Sequence, residues 1–272
     1  MTRHLRLTLA VATAAVAALA LSACSAGSSS SDGTVTDGKL TIATGDPAYS
    51  PWVEDNKPQS GKGFESAVAY AVAKEMGYAK SDVAWKRSTF DSAIAPGPKD
   101  WDLNIQQFSI DAKRKKAVDM STAYYTTTQA VVTTKSSKAV DHTKIADLKK
   151  DTIGVATGST SIASVKSVLG ITPKVFNSND DAVLALKSGQ IDAIVTDLPT
   201  AFYMAAAQLD DGTVSAQFPA DGKGDQFGFV LPKDSELTSK VDKALKTLTD
   251  DGTLEDLQTK WLSSETNTPV LQ

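Results

Sequence analysis

Residues 152–197 read TIGVATGSTSIASVKSVLGITPKVFNSNDDAVLALKSGQIDAIVTD, and this stretch decides the fold. In it the short strand-like runs Thr152–Val155, Lys174–Phe176 and Ile191–Val195 alternate with helix-like segments at Ser161–Val168 and Asp181–Lys187. Such alternation is the pattern of an α/β unit with mainly parallel strands. The same pattern recurs toward the N-terminus. Leu40–Ala43 reads as a strand, and Phe64, Ala67, Val68, Ala71, Val72 and Met76 share one helical stripe. Another strand at Asp102–Ile105 is followed by a helix expected to start near Asp111, an N-cap residue type. Between the two sets the Thr- and Val-rich run Thr127–Thr134 reads as an extended crossing. Downstream come a last strand, Gly228–Leu231, and two terminal helices, the first with Leu237, Val241, Ala244, Leu245 and Leu248 on one face. The expected fold is two α/β lobes, each a mainly parallel sheet flanked by helices, joined near 127–134 and 222–230. Residues 38–128 and 229–272 are assigned to lobe 1 and 129–228 to lobe 2.

The N-terminus has a different character. Arg3 and Arg6 precede an apolar run from about Leu7 to Leu21 that ends in small residues, the form of a secretory signal peptide. A membrane span needs about 20 apolar residues, and this run is shorter. Cys24, the only cysteine, follows directly. A lone thiol in an exported chain closes no disulfide within it. Leu21-Ser22-Ala23-Cys24 resembles the bacterial lipobox, in whose precursors the cysteine is diacylated (palmitate being a common acyl group) and becomes the new N-terminus. The expectation is therefore a signal peptide at 1–23 and a flexible linker at 24–37. Acylated Cys24 would hold the body to the lipid bilayer, at the outer face of the cell membrane.

Charge narrows the partners. The chain carries 28 basic and 32 acidic residues, a formal net charge of −4. Removing residues 1–23 leaves 26 basic residues against the same 32 acids, or −6. Nucleic acid binding requires clustered Lys and Arg, so no nucleic acid partner is expected.

Catalytic patterns are missing too. His142 is the one histidine after the leader, and it lies in a polar stretch, which leaves no Ser-His-Asp arrangement. There is no zinc-ligand spacing, no twelve-residue calcium loop and no Gly-x-Ser-x-Gly turn. Gly154–Thr160 lacks the lysine and spacing of a phosphate loop. No cofactor or metal is expected.

What remains suits a small zwitterion. Arg114, where Ser109–Arg114 passes from strand to helix, can present a planar fork to a carboxylate. Gly158-Ser159-Thr160 follows a strand at a helix start, where free N–H groups and a hydroxyl favour an anion. Asp197 directly follows an apolar strand, and ligands of open α/β sheets bind beyond the carboxyl ends of strands. Tyr49, Trp52 and Phe90 lie in or beside loops and are candidate aromatic covers.

Taken in order, these pieces resemble the extracytoplasmic solute-binding proteins of polar amino acid ABC importers. The resemblance rests on Thr41–Trp52, Gly63-Phe64-Glu65, Ser109–Arg114, Val118-Asp119-Met120-Ser121 and Tyr124-Tyr125. It continues through Ile153-Gly154-Val155, Gly158-Ser159-Thr160, Asp192–Asp197 and Asp251-Gly252-Thr253. The resemblance implies a two-lobed periplasmic-binding-protein-like fold and an amino acid ligand. It also implies delivery to an ABC permease in the cytoplasmic membrane, by what is expected to be a monomer and not an enzyme. By that resemblance Arg114, Thr160 and the backbone near Ser159 hold the α-carboxylate. Asp197, Ser109 and the backbone near Gln107 hold the α-ammonium, and Tyr49 and Phe90 cover the side chain, with Trp52 nearby. Gln106 and Gln107 stand where many relatives carry small residues, so their amides are expected to narrow the side-chain pocket. Asp46 is a candidate acceptor for an amide or cationic ligand or else a loop cap, and Arg87 a candidate partner for an acidic ligand. The alternatives are a sensing subunit for a membrane receptor and a dehydratase-like enzyme on the same fold. The latter would have only Asp46 and Asp197 for proton transfer.

Overall fold

The computed structural model describes residues 33–219, 224–262 and 268–272. The expected signal peptide, Cys24 and the linker up to residue 32 lie outside the described residues. The remainder of the expected linker does not behave as a tether. The Val35 N–H donates to Asp102 Oδ1 at 2.6 Å and Thr36 pairs with Lys39, so residues 35 and 36 already belong to the folded body. Asp102 ties this segment to the first strand by also accepting from the Thr41 N–H at 2.7 Å.

Among the described residues ten strands form two five-stranded sheets. They are β1 (Leu40–Thr44), β2 (Val83–Arg87), β3 (Leu103–Asn104), β4 (Asp119–Thr127), β5 (Gln129–Thr134), β6 (Ile153–Ala156), β7 (Lys174–Phe176), β8 (Ala193–Asp197), β9 (Gly212–Gln217) and β10 (Asp225–Leu231). Around them pack α1 (Phe64–Glu75), α2 (Phe90–Ile94), α3 (Ile145–Leu148), α4 (Ser161–Ser164), α5 (Asn179–Lys187), α6 (Leu198–Tyr203), α7 (Thr238–Asp250) and α8 (Thr253–Leu262). The orders are β2-β1-β3-β10-β4 in lobe 1 and β7-β6-β8-β5-β9 in lobe 2. In each sheet four strands run the same way, three of them paired parallel, and the strand that arrives from the other lobe, β10 or β5, pairs antiparallel with both neighbours. The first crossing is a single residue, Thr128, between β4 and β5.

Three expectations about boundaries are corrected. Asp225–Gly228 belongs to lobe 1, because β10 pairs with β4 from Asp225 onward. The C-terminus belongs to lobe 2: Leu271 is buried with Ile153 and Val155, and its N–H donates to the Gln217 carbonyl at 2.8 Å. The helix expected at Asp111 is one short turn, Arg114–Lys116, begun by Asp111 Oδ1 accepting from the N–H groups of Lys113 (2.7 Å) and Arg114 (3.1 Å).

Burial follows the sequence stripes. Phe64, Val68 and Val72 of α1 join Val241, Ala244, Leu245 and Leu248 of α7 in the lobe 1 core. Removing one such leucine side chain typically costs about 2–5 kcal/mol. The Pro- and Gly-containing run Ala95–Lys99 also finds a role, since the Lys99 ammonium donates to the carbonyls of Ser92 and Ala95 at the end of α2. Among the described residues no helix is long and apolar enough to cross a membrane.

Candidate functional site

Between the sheets lies a cleft of about 480 Å³, within the roughly 300–1,000 Å³ usual for small-molecule sites. The strand topology explains its place. Parallel strands β1 and β3 of lobe 1, and β6 and β8 of lobe 2, end at it, so the residues just after them become its wall.

Arg114 comes from lobe 1 and is buried, with 8% of its surface exposed. Its guanidinium donates to the Ser109 carbonyl at 2.7 Å and, across the cleft, to the Gly158 carbonyl at 2.8 Å. It also lies 5.3 Å from the centre of the Phe90 ring. Burial pulls the Arg114 pKa below its ordinary value, while Asp111, Asp225 and Asp197 oppose that shift.

Asp197 comes from lobe 2. It occupies the residue before α6 yet its carboxylate caps no N–H of that helix. Instead Oδ1 accepts from Gln129 Nε2 at 2.6 Å. Burial first, then the neighbouring Asp225, push its pKa up to about 8, against the Gln129 hydrogen bond and the Arg114 charge. Thr160 Oγ1 donates to Asp225 at 2.6 Å and lies 3.1 Å from the Ser109 hydroxyl across the cleft. Ser159 turns its hydroxyl to the Ala156 carbonyl at 2.7 Å.

The cleft wall therefore holds Arg114, Asp197, Thr160, Ser109, Ser159, Tyr49, Phe90, Gln106, Gln107 and the exposed rim residue Asp46 together. Trp52 is the exception. It is 2% exposed, packs edge-on against Phe64 and Tyr125 at 6.0 and 5.7 Å, and belongs to the lobe 1 core. Its indole N–H donates to Thr200 Oγ1 of lobe 2 at 3.1 Å, so it joins the lobes behind the cleft and does not cover a ligand. Gln107 also departs from expectation. Its side-chain amide and its backbone N–H both donate to Glu65, leaving the amide committed away from any ligand. Gln106 stays on the wall, packed against Gly45, where a Cβ would meet its amide nitrogen at 2.9 Å. Arg87 is tied to the carbonyls of Gly45 and Asn56, both at 2.6 Å, and is not on the wall.

The family model for bacterial extracellular solute-binding proteins, family 3, matches residues 40–264. The chain belongs to this family. It is thus a binding protein and not an enzyme by kinship. This solute-binding protein is 33% identical over 234 residues to the arginine-binding extracellular protein ArtP of Bacillus subtilis, covering 84% of this chain and 88% of that one. Among solved structures it resembles an ancestral arginine-binding protein bound to arginine, with 31% identity, a TM-score of 0.67 and coverage of 83% and 98%. A structure of an ancestral arginine-binding protein bound to glutamine gives 31% identity, a TM-score of 0.68 and coverage of 84% and 100%.

The tertiary structure of this solute-binding protein adds residues that carry no sequence signal. Gln129, at the crossing, donates to both Asp197 and Asp225 and accepts from the Ser161 hydroxyl at 2.6 Å. Asp91, Asn177, Asn179 and Thr200 also line the cleft. No motif marks them, because they arrive from three separate places in the chain, the starts of α2 and α6 and the turn leading from β7 into α5. No group of three potential metal ligands occurs among the described residues.

Proposed function

We propose that this protein captures an amino acid between its lobes outside the cytoplasmic membrane, to which Cys24 anchors it through lipid, and delivers it to an ABC permease. The observation that carries this reading is one guanidinium and one carboxylate, Arg114 and Asp197, supplied by opposite lobes to a single cleft. A zwitterion spanning them would favour the closed arrangement over an open one. In this reading Arg114 and Thr160, with the backbone at Ser159, take the α-carboxylate. Asp197 and Ser109, with the backbone at Gln107, take the α-ammonium. Tyr49 and Phe90 flank the side chain, with Gln106 and Asp46 at its far end.

Once Arg114 and Asp197 are matched to the zwitterion, Asp46 and Asp91 are the charged side chains left on the wall. They favour a ligand side chain rich in N–H donors. The names of the relatives point the same way, so arginine and glutamine are the first ligands to try. The test is a thermal-shift screen of residues 25–272 against the twenty amino acids, followed by calorimetry. A ligand that binds only the folded state stabilises it by about 2.7 kcal/mol at a hundredfold excess over Kd. A flat panel after removal of co-purified ligand would overturn the reading. The anchor is tested separately: the full chain with Cys24→Ser should leave the membrane fraction, and retention there would sink lipidation.

A further inference from the structure

Asp180 has no part in the ligand roles above, and in sequence it looks like an ordinary acidic residue in the first turn of a helix. Its surroundings say otherwise. The Tyr49 hydroxyl of lobe 1 donates to Asp180 Oδ2 on α5 of lobe 2. The other carboxylate oxygen accepts from Gln208 Nε2 at 2.8 Å, so both oxygens of Asp180 are held in fixed directions. On the same side the Tyr49 ring lies 5.9 Å from the Tyr203 ring of lobe 2, tilted by 44°. One lobe 1 side chain is thereby received by two lobe 2 side chains, Asp180 of α5 and Tyr203 of α6, and Gln208 braces Asp180 from its other oxygen. Tyr49, Ser178 and Asn179 all line the cleft, so the contact sits at its edge.

We infer that Tyr49 and Asp180 form a latch across the cleft mouth, with Gln208 and Tyr203 as its seat, and that this latch sets how slowly a captured ligand leaves. The inference rests on the binding role proposed above. Its physical basis is that a hydrogen bond between lobes exists only when they are closed, so it selects the closed state. A ligand that enters an open cleft meets no latch. A ligand that leaves must first break it. The latch therefore acts chiefly on dissociation, the usual place for affinity differences within one site; where it also closes the empty protein, it lowers the fraction open to a ligand and slows association. It also assigns Tyr49 two roles with separable chemistry: the ring covers the cleft, whereas the hydroxyl holds the lobes. Burial and the Asp180 hydrogen bond both raise the Tyr49 pKa, keeping the phenol protonated as a donor.

The test compares the wild-type protein with Tyr49→Phe, Asp180→Ala and the double variant, by stopped-flow with arginine and glutamine and by small-angle scattering without ligand. Each single variant should release ligand about tenfold faster, equivalent to about 1.4 kcal/mol, with an on-rate no lower than that of the wild type. The double variant should be no worse than either single one, because both remove the same contact. In scattering, each variant should have a larger radius of gyration than the wild type. Unchanged release together with an unchanged radius overturns the latch, as do fully additive effects. If the wild type binds neither these nor any other amino acid, the binding role fails, and the ligand-free radius alone then decides whether the latch stands.

Discussion

At the residue scale, the site is a set of charges held in place by backbone carbonyls and one amide. Arg114 is fixed by the Ser109 and Gly158 carbonyls, and both Asp197 and Asp225 are bridged by Gln129. Charge-assisted hydrogen bonds contribute about 1.5–3 kcal/mol each. Loss of the two-pronged contact in Arg114→Ala should weaken amino acid binding by more than 100-fold in calorimetry. Arg114→Lys should recover only part of it, since an ammonium lacks the planar fork. The raised pKa of Asp197, about 8, gives a second prediction. Below pH 8 the empty site holds a proton on Asp197, and an incoming ammonium must displace it. Affinity should therefore rise with pH from 6 to 8, by up to about tenfold per unit, and level off above. Asp197→Asn should bind more weakly and lose that slope in calorimetry at pH 6, 7 and 8. Glu65 is the buried counterpart. Burial lifts its pKa to about 7, although hydrogen bonds from Tyr124 and Gln107 pull the other way. It serves the site indirectly, by holding Gln107 in a left-handed turn with φ of 48° at the cleft wall.

At the element scale, the fold positions these groups by ending strands at the cleft and by using glycine where a side chain would collide. Gly63, before α1, has φ of 96°, and a Cβ there would stand 2.5 Å from the Trp52 carbonyl oxygen. That explains the glycine of Gly63-Phe64-Glu65 in physical terms: α1 starts against the backbone of the Tyr49–Trp52 loop. Gly63→Ala should lower stability by about 1–3 kcal/mol through strain and displacement of that loop, visible as a lower Tm. An unchanged Tm would show that the loop yields easily. Most elements were legible from periodicity. Those without a clean period were not: β2, β4, β9, α2, α3 and α6 went unread, and the expected helix at Asp111 shrank to one turn. There the Asp111 capping signal was real, but only Arg114–Lys116 followed it before β4 began.

At the scale of the whole molecule, the lobes are described in a closed arrangement. Arg114–Gly158, Ser109–Thr160, Trp52–Thr200 and Tyr49–Asp180 all cross between them. Gly158 is the tightest point of that closure. Its φ is 69°, and a Cβ there would lie 2.6 Å from Asp91 Oδ1 and 3.4 Å from the Phe90 ring, both in lobe 1. Gly158→Ala should wedge the lobes apart. Affinity should fall about tenfold or more in calorimetry, and the radius of gyration with ligand should grow, while the positive φ also lowers Tm without ligand. Full affinity in that variant would mean that the closed geometry is not the binding one. The C-terminal residues add a further link, since α8 packs in lobe 1 while Leu271 packs in lobe 2.

The sequence by itself determined the α/β class, the two-lobed plan, the family resemblance and the facing pair Arg114 and Asp197 with eight other residues of the cleft wall, because strand and helix periods and strand-end residues are local properties. Only the tertiary structure decided that Trp52 is core and that the Gln107 amide belongs to Glu65. It also decided that Asp180 meets Tyr49, 131 residues away in the chain, and that the C-terminus lies on lobe 2. The physical reason is that a hydrogen-bond partner is chosen by proximity in space after the lobes pack, and no spacing along the chain encodes it.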